Sequence, residues 1–280
     1  MTVLDPLPAA TSPRRSRNGP ITIGLARGGL EIRQFVRARE ALFFTLLFPL
    51  LMLVLFGSIF HGDAEAGVPI RQVLVSGMIA SGVMGASFQT LGVAVAAERH
   101  DGTLKRLRGL PMPPSSYFVG KILLVLTITT AQLAVMLAVG TAFFGLHLPD
   151  RAGNWMVLAW VTVLGSTSCS LLGIAVSGLA RSAKAAAPVI TIPFIALQFI
   201  SGVFFPFSSL PEVLQRMAAL FPLKWMIQGM HAVFLPSAYQ SAEPAGTWEL
   251  ARVALILGFW ALGALALCTR TFRWDGRRGR

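Results

Sequence analysis

Six stretches of this chain are free of charged residues and approach or exceed the length needed to cross a lipid bilayer as a helix. A bilayer core needs about 20 apolar residues of helix, and backbone groups in lipid must be hydrogen-bonded within their own segment. The stretches therefore predict an all-α polytopic membrane protein, with a transmembrane domain over residues 41–269. The predicted spans lie at about residues 41–60, 72–97, 122–146, 152–180, 185–207 and 248–269.

The composition excludes the two main alternatives to a membrane protein. The chain is 54% hydrophobic and 13% charged, whereas a soluble domain averages about 45–50% apolar and about 25% charged residues. A water-soluble surface cannot be built from so few charges. Disorder is excluded over most of the length, because the chain carries too much apolar surface to leave in contact with water.

The positions of the basic residues predict the orientation in the membrane. The net charge of +12 would indicate nucleic acid in a soluble protein. Six spans, however, place both termini on one side, and 19 of the 24 Lys and Arg residues fall on that side. Basic loops are a mark of the cytoplasmic face. We therefore expect a multi-pass protein of the plasma (inner) membrane with both termini in the cytoplasm, and no nucleic-acid partner.

The segments outside the spans are expected to differ in character. Residues 1–20 and 270–280 are predicted to be basic cytoplasmic tails, the first of them disordered. Residues 21–40 fit either an amphipathic helix in the cytoplasmic interface or an ordinary linker, and glycines in this segment weaken the helix prediction. Residues 208–240 contain apolar segments too short to span, which predicts re-entrant helices on the outer face between spans five and six.

Signals for catalysis and for ion coupling are mostly missing from the sequence. No phosphate-binding Gly-x4-Gly-Lys-Ser/Thr, no zinc-binding His-Glu-x-x-His and no Gly-x-Ser-x-Gly occurs, and Cys169 and Cys268 lie in apolar runs typical of packing. No ionisable residue lies in the centre of a span, which argues against a proton-coupled carrier. A secondary carrier or channel remains an alternative, and an intramembrane hydrolase a more remote one.

The long inner loop at residues 98–121 is the most informative segment. Gly102 breaks the chain after the second span, and Leu104 and Leu107 then form an apolar pair on a short basic helix that prolines end. Such a helix is suited to contact a soluble partner, its leucines entering a groove and its charges setting the orientation. The alternative is a solvated positive loop with no partner.

This loop resembles the inner-loop signature of ABC-2-type transporter permeases, of the daunorubicin-resistance and lipo-oligosaccharide exporter kind. The similarity extends to the basic N-terminal segment, the six spans and the long connection between spans five and six. His100 departs from the pattern, because the family often has a second glutamate there. The matching residues are Glu98, Arg99, Gly102, Thr103, Leu104, Arg106, Leu107, Pro111, Gly120 and Lys121.

The resemblance implies a permease subunit that is not itself an enzyme. Its expected partners are cytoplasmic ABC ATPase subunits, a second copy or sister permease, membrane lipids, and a hydrophobic or amphiphilic substrate, such as a drug, lipid or glycolipid. ATP and magnesium would be bound by the ATPase, and this chain would hold no cofactor or metal. The inner loop would act as a coupling helix. The residues expected to couple it to the ATPase are Glu98, Arg99, Asp101, Gly102, Thr103, Leu104, Arg106, Leu107 and Pro111.

Spans two and five carry the candidates for a substrate path. The family places this path along these two spans at the dimer interface, whereas small and amide residues at helical spacing also serve ordinary helix packing. The phenylalanines at the outer end of span five fit either an apolar plug or an interfacial aromatic belt. The candidate residues are Gln89, Thr191, Gln198, Ser201, Phe204 and Phe205.

Overall fold

The computed structural model describes residues 19–109, 113–180 and 182–271. The predicted tails therefore lie almost entirely outside the described residues. Within those ranges the chain forms helices and no strand, apart from one isolated bridge between Asp63 and Pro69, which confirms the all-α class. The helices are α1 (Pro20–Arg37), α2 (Arg39–Ile59), α3 (Ile70–Met84), α4 (Leu91–His100), α5 (Thr103–Arg108), α6 (Pro114–Phe143), α7 (Ala152–Ser177), α8 (Ala183–Ile200), α9 (Glu212–Ala218), α10 (Pro222–Phe234) and α11 (Leu250–Thr271).

Five helical segments of the described chain are long and apolar enough to cross a membrane. The second of them, Ile70–His100, consists of α3 and α4 joined by the π-helical turn Gly85–Thr90. The predicted fifth span corresponds to α8, whose apolar part is shorter. The full set of five is Arg39–Ile59, Ile70–His100, Ser115–Phe143, Ala152–Ser177 and Leu250–Cys268.

Several helices continue past the boundaries predicted from charge, and α4 and α6 do so at the inner loop. α4 runs through Glu98 to His100, and α6 begins at Pro114, eight residues before the predicted start at 122. The prediction stopped at Lys121 because a charge was taken to end a span. The Lys121 side chain is instead only 3% exposed and pairs with two carboxylates, so its charge does not interrupt the helix.

α8 ends at Ile200, seven residues before the predicted boundary at 207. The chain turns at Gly202, whose φ of +90° lies in the left-handed region that glycine adopts without a steric penalty. Pro206 follows and cannot continue a helix. The apolar residues after Ile200 therefore belong to a turn at one end of the bundle and not to a membrane-spanning helix.

Helix α1 lies directly against the first turns of α6. A Cβ added at Gly24 would lie 2.6 Å from the Val119 Cβ, and one at Gly28 would lie 2.7 Å from Leu123 Cδ2. Glycines four residues apart share a helix face and permit the backbones to approach closely. These glycines were expected to weaken the helix, but they are the residues that allow α1 to dock.

The segment between α8 and α11 contains α9 and α10, at the end of the bundle opposite α5. We call the end that carries α5 the inner end and the opposite end the outer end. α10 packs against α3, α7 and α11, and its residues are almost all buried. A 13-residue helix inserted among three longer ones has the geometry of a re-entrant segment.

Candidate functional site

The inner loop forms the short helix α5 immediately after α4. Gly102 joins the two helices with a φ of +75°, a left-handed conformation that favours glycine. α5 thereby turns away from the line of α4. Pro111, which is expected to end the coupling segment, lies outside the described residues.

The two leucines of α5 pack toward the bundle to different degrees. Leu104 is fully buried, and Leu107 packs at the edge of the same cluster. The expectation that both leucines insert into a partner's groove is therefore wrong for Leu104, because the permease itself fills that role. Asp101, Lys105 and Arg106 are exposed, so a partner at the inner end meets charges. The cluster that holds Leu104 contains Leu91, Val95, Tyr117, Val125, Ile174 and Cys268.

Glu98 lies at the centre of a largely buried ionic cluster beside α5. The Tyr117 hydroxyl donates a hydrogen bond of 2.9 Å to Glu98 Oε2, and the Lys121 ammonium donates one of 2.5 Å to Oε1. Lys121 Nζ also lies 3.1 Å from Glu31 Oε2, and Glu31 pairs with Arg27 at 3.0 Å. We call these five residues the Glu98 cluster. It joins α1, α4 and α6 through two positive and two negative charges.

The burial of Lys121 and Glu31 makes the Glu98 cluster sensitive to the loss of their partners. The side chains of Lys121 and Glu31 are 3% and 8% exposed. A charge left without its partner in such a place costs about 3–5 kcal/mol, whereas an exposed ion pair contributes about 0–1 kcal/mol. The cluster therefore holds the docked helix α1 and the end of α4 in a fixed relation.

Arg99 and His100 fasten the end of α4 to the end of α7. The Arg99 guanidinium donates to Ser177 Oγ at 3.4 Å, and His100 Nε2 lies 3.1 Å from the Ala180 carbonyl oxygen. A ring nitrogen facing a carbonyl must carry the proton, so His100 is the donor. An ionised glutamate, the residue that the family often has here, could not make this bond.

A groove of about 880 Å³ lies between α2, the π-helical turn and α8. We call it the α2–α8 groove. Its polar members include Gln89, whose amide donates to Thr191 Oγ1 at 3.1 Å, and Gln198. The π-helical turn brings Gln89 and Thr90 to this surface, and such turns are frequent at functional sites. Its apolar members include Phe35, Phe44, Phe48, Val93, Phe194 and Ile195.

The six substrate-path candidates fall into two groups. Gln89, Thr191 and Gln198 line the α2–α8 groove together. Ser201, Phe204 and Phe205 lie at the turn beyond α8, at the outer end. There the Phe204 ring centre is 4.7 Å from that of Phe56 in α2, and Phe205 is 5.8 Å from Phe60. These rings form an aromatic cluster between α2 and the turn after α8.

A buried ionic cluster at the outer end was not predicted. His231 Nδ1 on α10 lies 2.7 Å from Glu243 Oε1, and Lys224 Nζ lies 4.0 Å from Glu243 Oε2. Burial opposes ionisation of Glu243, but its hydrogen bond with His231 and the charges of His231 and Lys224 hold its pKa below the ordinary value. The one sequence signal was a histidine and a lysine within a short apolar segment.

Comparison with known proteins identifies the family. The model of the ABC-2 type transporter family matches residues 29–235, which contain the Glu98 cluster except Arg27 and the whole α2–α8 groove. The chain belongs to the ABC-2 type transporter family. It is thus a membrane-spanning permease subunit of an ABC transporter, as the inner-loop resemblance implied.

Relatives of this ABC-2 permease include two bacterial proteins that carry permease names. A Bacillus subtilis protein named as a transport permease, YvfS, is 22% identical over 222 residues, which cover 79% of this chain and 82% of YvfS. An Escherichia coli protein named as a multidrug ABC transporter permease, YbhR, is 24% identical over 179 residues, or 62% of this chain. The match spans about half the length of YbhR (48%).

Proposed function

We propose that this permease is the membrane subunit of an ATP-driven exporter. Two permease copies, or this chain and a sister permease, would pair with cytoplasmic ABC ATPase subunits that bind ATP and magnesium. The observation that carries this proposal is the Glu98 cluster, which connects the end of α4, immediately before α5, to both α1 and α6. A connection of this kind suits a subunit whose helices are moved by a partner protein that binds at the inner end.

The proposed topology has six spans, with α8 as the fifth. At a rise of about 1.5 Å per residue, the 18 residues of α8 extend about 27 Å, close to the thickness of the bilayer core. Both termini and α5 would then lie in the cytoplasm of a plasma-membrane protein. The bias of basic residues toward these segments supports this orientation.

Coupling would start at the exposed face of α5. Lys105 and Arg106 are exposed and would contact the ATPase, while the buried Leu104 ties α5 to the bundle. A movement of α5 would pass through Gly102 to α4. From Glu98 it would reach α6 through Tyr117 and Lys121. Glu31 would carry the same displacement to α1.

The α2–α8 groove is the proposed substrate path. Its phenylalanines and aliphatic residues would accept the apolar part of an amphiphilic drug, lipid or glycolipid, while Gln89, Thr191 and Gln198 would meet a polar group. The groove opens on a face formed by α2 and α8, so a second permease can complete it. The aromatic cluster of Phe204 and Phe205 lies farther along the same side, toward the outer end.

Purification of the complex tests this proposal. The tagged chain, extracted from its native membrane in mild detergent, is expected to retain a P-loop ATPase in roughly equal amount, with vanadate-sensitive ATP hydrolysis. Replacing Lys105 and Arg106 with Glu should release the ATPase. The same reversal at Arg71 and Arg151, which are exposed at the outer end, should leave it bound.

Two outcomes would contradict parts of this proposal, the first the exporter function and the second the contact at α5. One is a permease that purifies without an ATPase under conditions that keep a known ABC exporter intact. The other is equal ATPase retention by both pairs of charge reversals, which would remove α5 from the contact. If the permease purifies without an ATPase, ion flux through the isolated, reconstituted chain would favour the secondary carrier or channel.

A further inference from the structure

A second groove, of about 500 Å³, lies on the other side of the α3–α4 span. α4, α6, α7 and α11 form its walls, and we call it the α6–α7 groove. It shares no lining residue with the α2–α8 groove, so the proposed substrate path does not account for it. Its apolar lining residues are Leu91, Phe118, Ile122, Val125, Leu126, Leu171, Ile174 and Leu265.

The polar atoms in the walls of this groove are largely engaged. Ser166 and Thr167 donate to the Val163 carbonyl of their own helix, at 3.1 and 2.7 Å. The Cys268 thiol lies 3.2 Å from the Leu171 carbonyl oxygen. Lys121 closes the inner end, but its ammonium is paired with two carboxylates. A polar solute would lose its hydration here and gain few hydrogen bonds in exchange, so the groove favours an apolar occupant.

The opening of the groove faces the side of the bundle. Ile122, Leu126 and Leu265 stand at its rim, with 58%, 38% and 46% of their surface exposed. All three belong to helices long and apolar enough to span a membrane. In a membrane protein, exposed apolar side chains at this level contact lipid chains and not water. The groove is therefore open to lipid.

The extent of the groove matches one leaflet of the bilayer. It runs along α6 from Phe118 to Leu126 and along α7 from Ser166 to Ile174. Each of these stretches rises about 12 Å, which is somewhat less than half of the roughly 30 Å bilayer core. Both stretches start or end beside the inner end of the bundle, so the groove lies within the inner half of the membrane.

We propose that the α6–α7 groove binds one acyl chain of a membrane phospholipid from the inner leaflet. The chain lies between α6 and α7 with its headgroup at the inner end, near the exposed Arg270 of α11. Cationic side chains at this level attract anionic headgroups.

The bound chain also supports α5. Leu91, Val125, Ile174 and Cys268 line the groove and belong to the cluster that buries Leu104. An acyl chain on one side of these residues fills the space behind the helix proposed to contact the ATPase. Binding of an acyl chain stands independently of the proposed function, whereas the assignment to the inner leaflet and this effect on coupling rest on it.

Photolabelling in proteoliposomes tests the binding. The permease complex is reconstituted with increasing amounts of phosphatidylglycerol that carries a diazirine in one acyl chain, and labelled residues are located by mass spectrometry. Labelling at Leu126 and Leu265 should saturate at low probe fraction. Labelling at Val163 and Leu255, which are exposed on α7 and α11 outside the groove, should rise in proportion to the probe.

A variant that fills the groove is compared with a similar substitution outside it. Ser170→Phe places a ring in the groove and should lower labelling at Leu126 about tenfold or more, because the displaced chain segment loses its burial. Val163→Phe makes a similar change on the exposed face and should have no effect. Ser170→Leu serves as the milder variant if Ser170→Phe does not purify as a single species.

Three results would overturn the proposal. The first is labelling at Leu126 that follows the bulk probe as at Val163. The second is saturable labelling unchanged by either Ser170 variant. The third is a disulfide between Leu126→Cys residues of two copies in native membranes, which would assign the groove to a protein interface. None of these results depends on ATPase retention, so failure of this proposal is distinguishable from failure of the exporter function.

Discussion

The Lys121 ammonium lies 2.5 Å from Glu98 and 3.1 Å from Glu31, so one lysine on α6 binds the end of α4 and the docked helix α1 together. This arrangement links two inner segments that are 67 residues apart in sequence. A displacement of α4 at its inner end must therefore move α1 and α6 or break a buried ion pair. The coupling role proposed for the inner loop depends on this relationship.

Loss of the central carboxylate should disable coupling. Glu98→Ala leaves Lys121 with Glu31 alone and removes the acceptor of the Tyr117 hydrogen bond, at a cost of about 1–3 kcal/mol. We expect normal insertion in the membrane but no ATP-dependent export of ethidium or of a fluorescent phospholipid by inverted vesicles. Glu212→Ala removes an exposed ion-pair partner at the outer end and should behave as wild type. Wild-type export by Glu98→Ala would exclude the coupling role.

The docking of α1 makes a prediction about two adjacent glycines. Gly28→Ala places a Cβ 2.7 Å from Leu123 and should destabilise the detergent-solubilised protein by about 1–3 kcal/mol through overpacking. Gly29→Ala meets no atom within 4 Å and should stabilise the helix by up to about 1 kcal/mol. Thermal unfolding of both variants measures the difference. Equal shifts in the two unfolding midpoints would show that α1 does not pack on α6 in this way.

The outer ionic cluster should make stability depend on pH. Because the pKa of Glu243 is lowered in the folded protein, the unfolded chain binds more protons between that lowered pKa and the ordinary value of 4.5. Stability should therefore fall as the pH drops through this window. Glu243→Gln should flatten this part of the curve of unfolding midpoint against pH, and Glu212→Gln, an exposed control, should not. A wild-type unfolding midpoint that does not fall at acid pH would contradict the ionic contacts of Glu243.

The hydrogen bond in the α2–α8 groove should appear as a coupling energy. Gln89 and Thr191 join the π-helical turn to α8 at 3.1 Å, and such bonds between membrane helices contribute about 0.6 kcal/mol on average. A double-mutant cycle of Gln89→Leu and Thr191→Val should show this coupling in the free energy of unfolding. A cycle of Gln89→Leu with Thr167→Val, on the other side of the bundle, should be additive. Additivity in both cycles would show that this hydrogen bond contributes no coupling energy.

The proposed topology makes opposite predictions for two exposed positions. A cysteine at Ser241, at the outer end, should react with a membrane-impermeant maleimide in intact cells. A cysteine at Lys105 on α5 should react only after permeabilisation. Both are exposed in the structure, so access to the reagent decides the result. The reverse pattern would overturn the cytoplasmic placement of α5.

The all-α class and most spans were predictable because the spans obey one simple rule, the length of a charge-free apolar window. The rule fails where charges neutralise one another, and Lys121 and Glu98 therefore extend α6 and α4 beyond their predicted ends. It also fails at α8, because Gly202 turns the chain while the sequence remains apolar. A local sequence pattern shows neither which charges pair in the folded protein nor the backbone dihedral angle of one glycine.

The candidate sites were predictable to a different degree. The inner-loop motif located α5, but the pattern of Leu104 and Leu107 did not reveal that Leu104 faces the bundle. The sequence suggested that the glycines of α1 weaken the helix. Their role is to allow α6 to approach closely, and the local sequence does not show this contact. The His231–Glu243 pair joins residues across a turn, and only the folded chain brings them together.

Crosslinking from α5 tests whether this helix contacts the ATPase. A photoreactive benzoylphenylalanine is placed at Lys105, which is exposed, and in a second variant at Leu104, which is fully buried. We expect irradiation of native membranes to join the Lys105 variant to a P-loop ATPase and to join the Leu104 variant only to the permease itself. An ATPase that copurifies but never crosslinks from position 105, or crosslinks equally from 104, would contradict the proposed coupling helix.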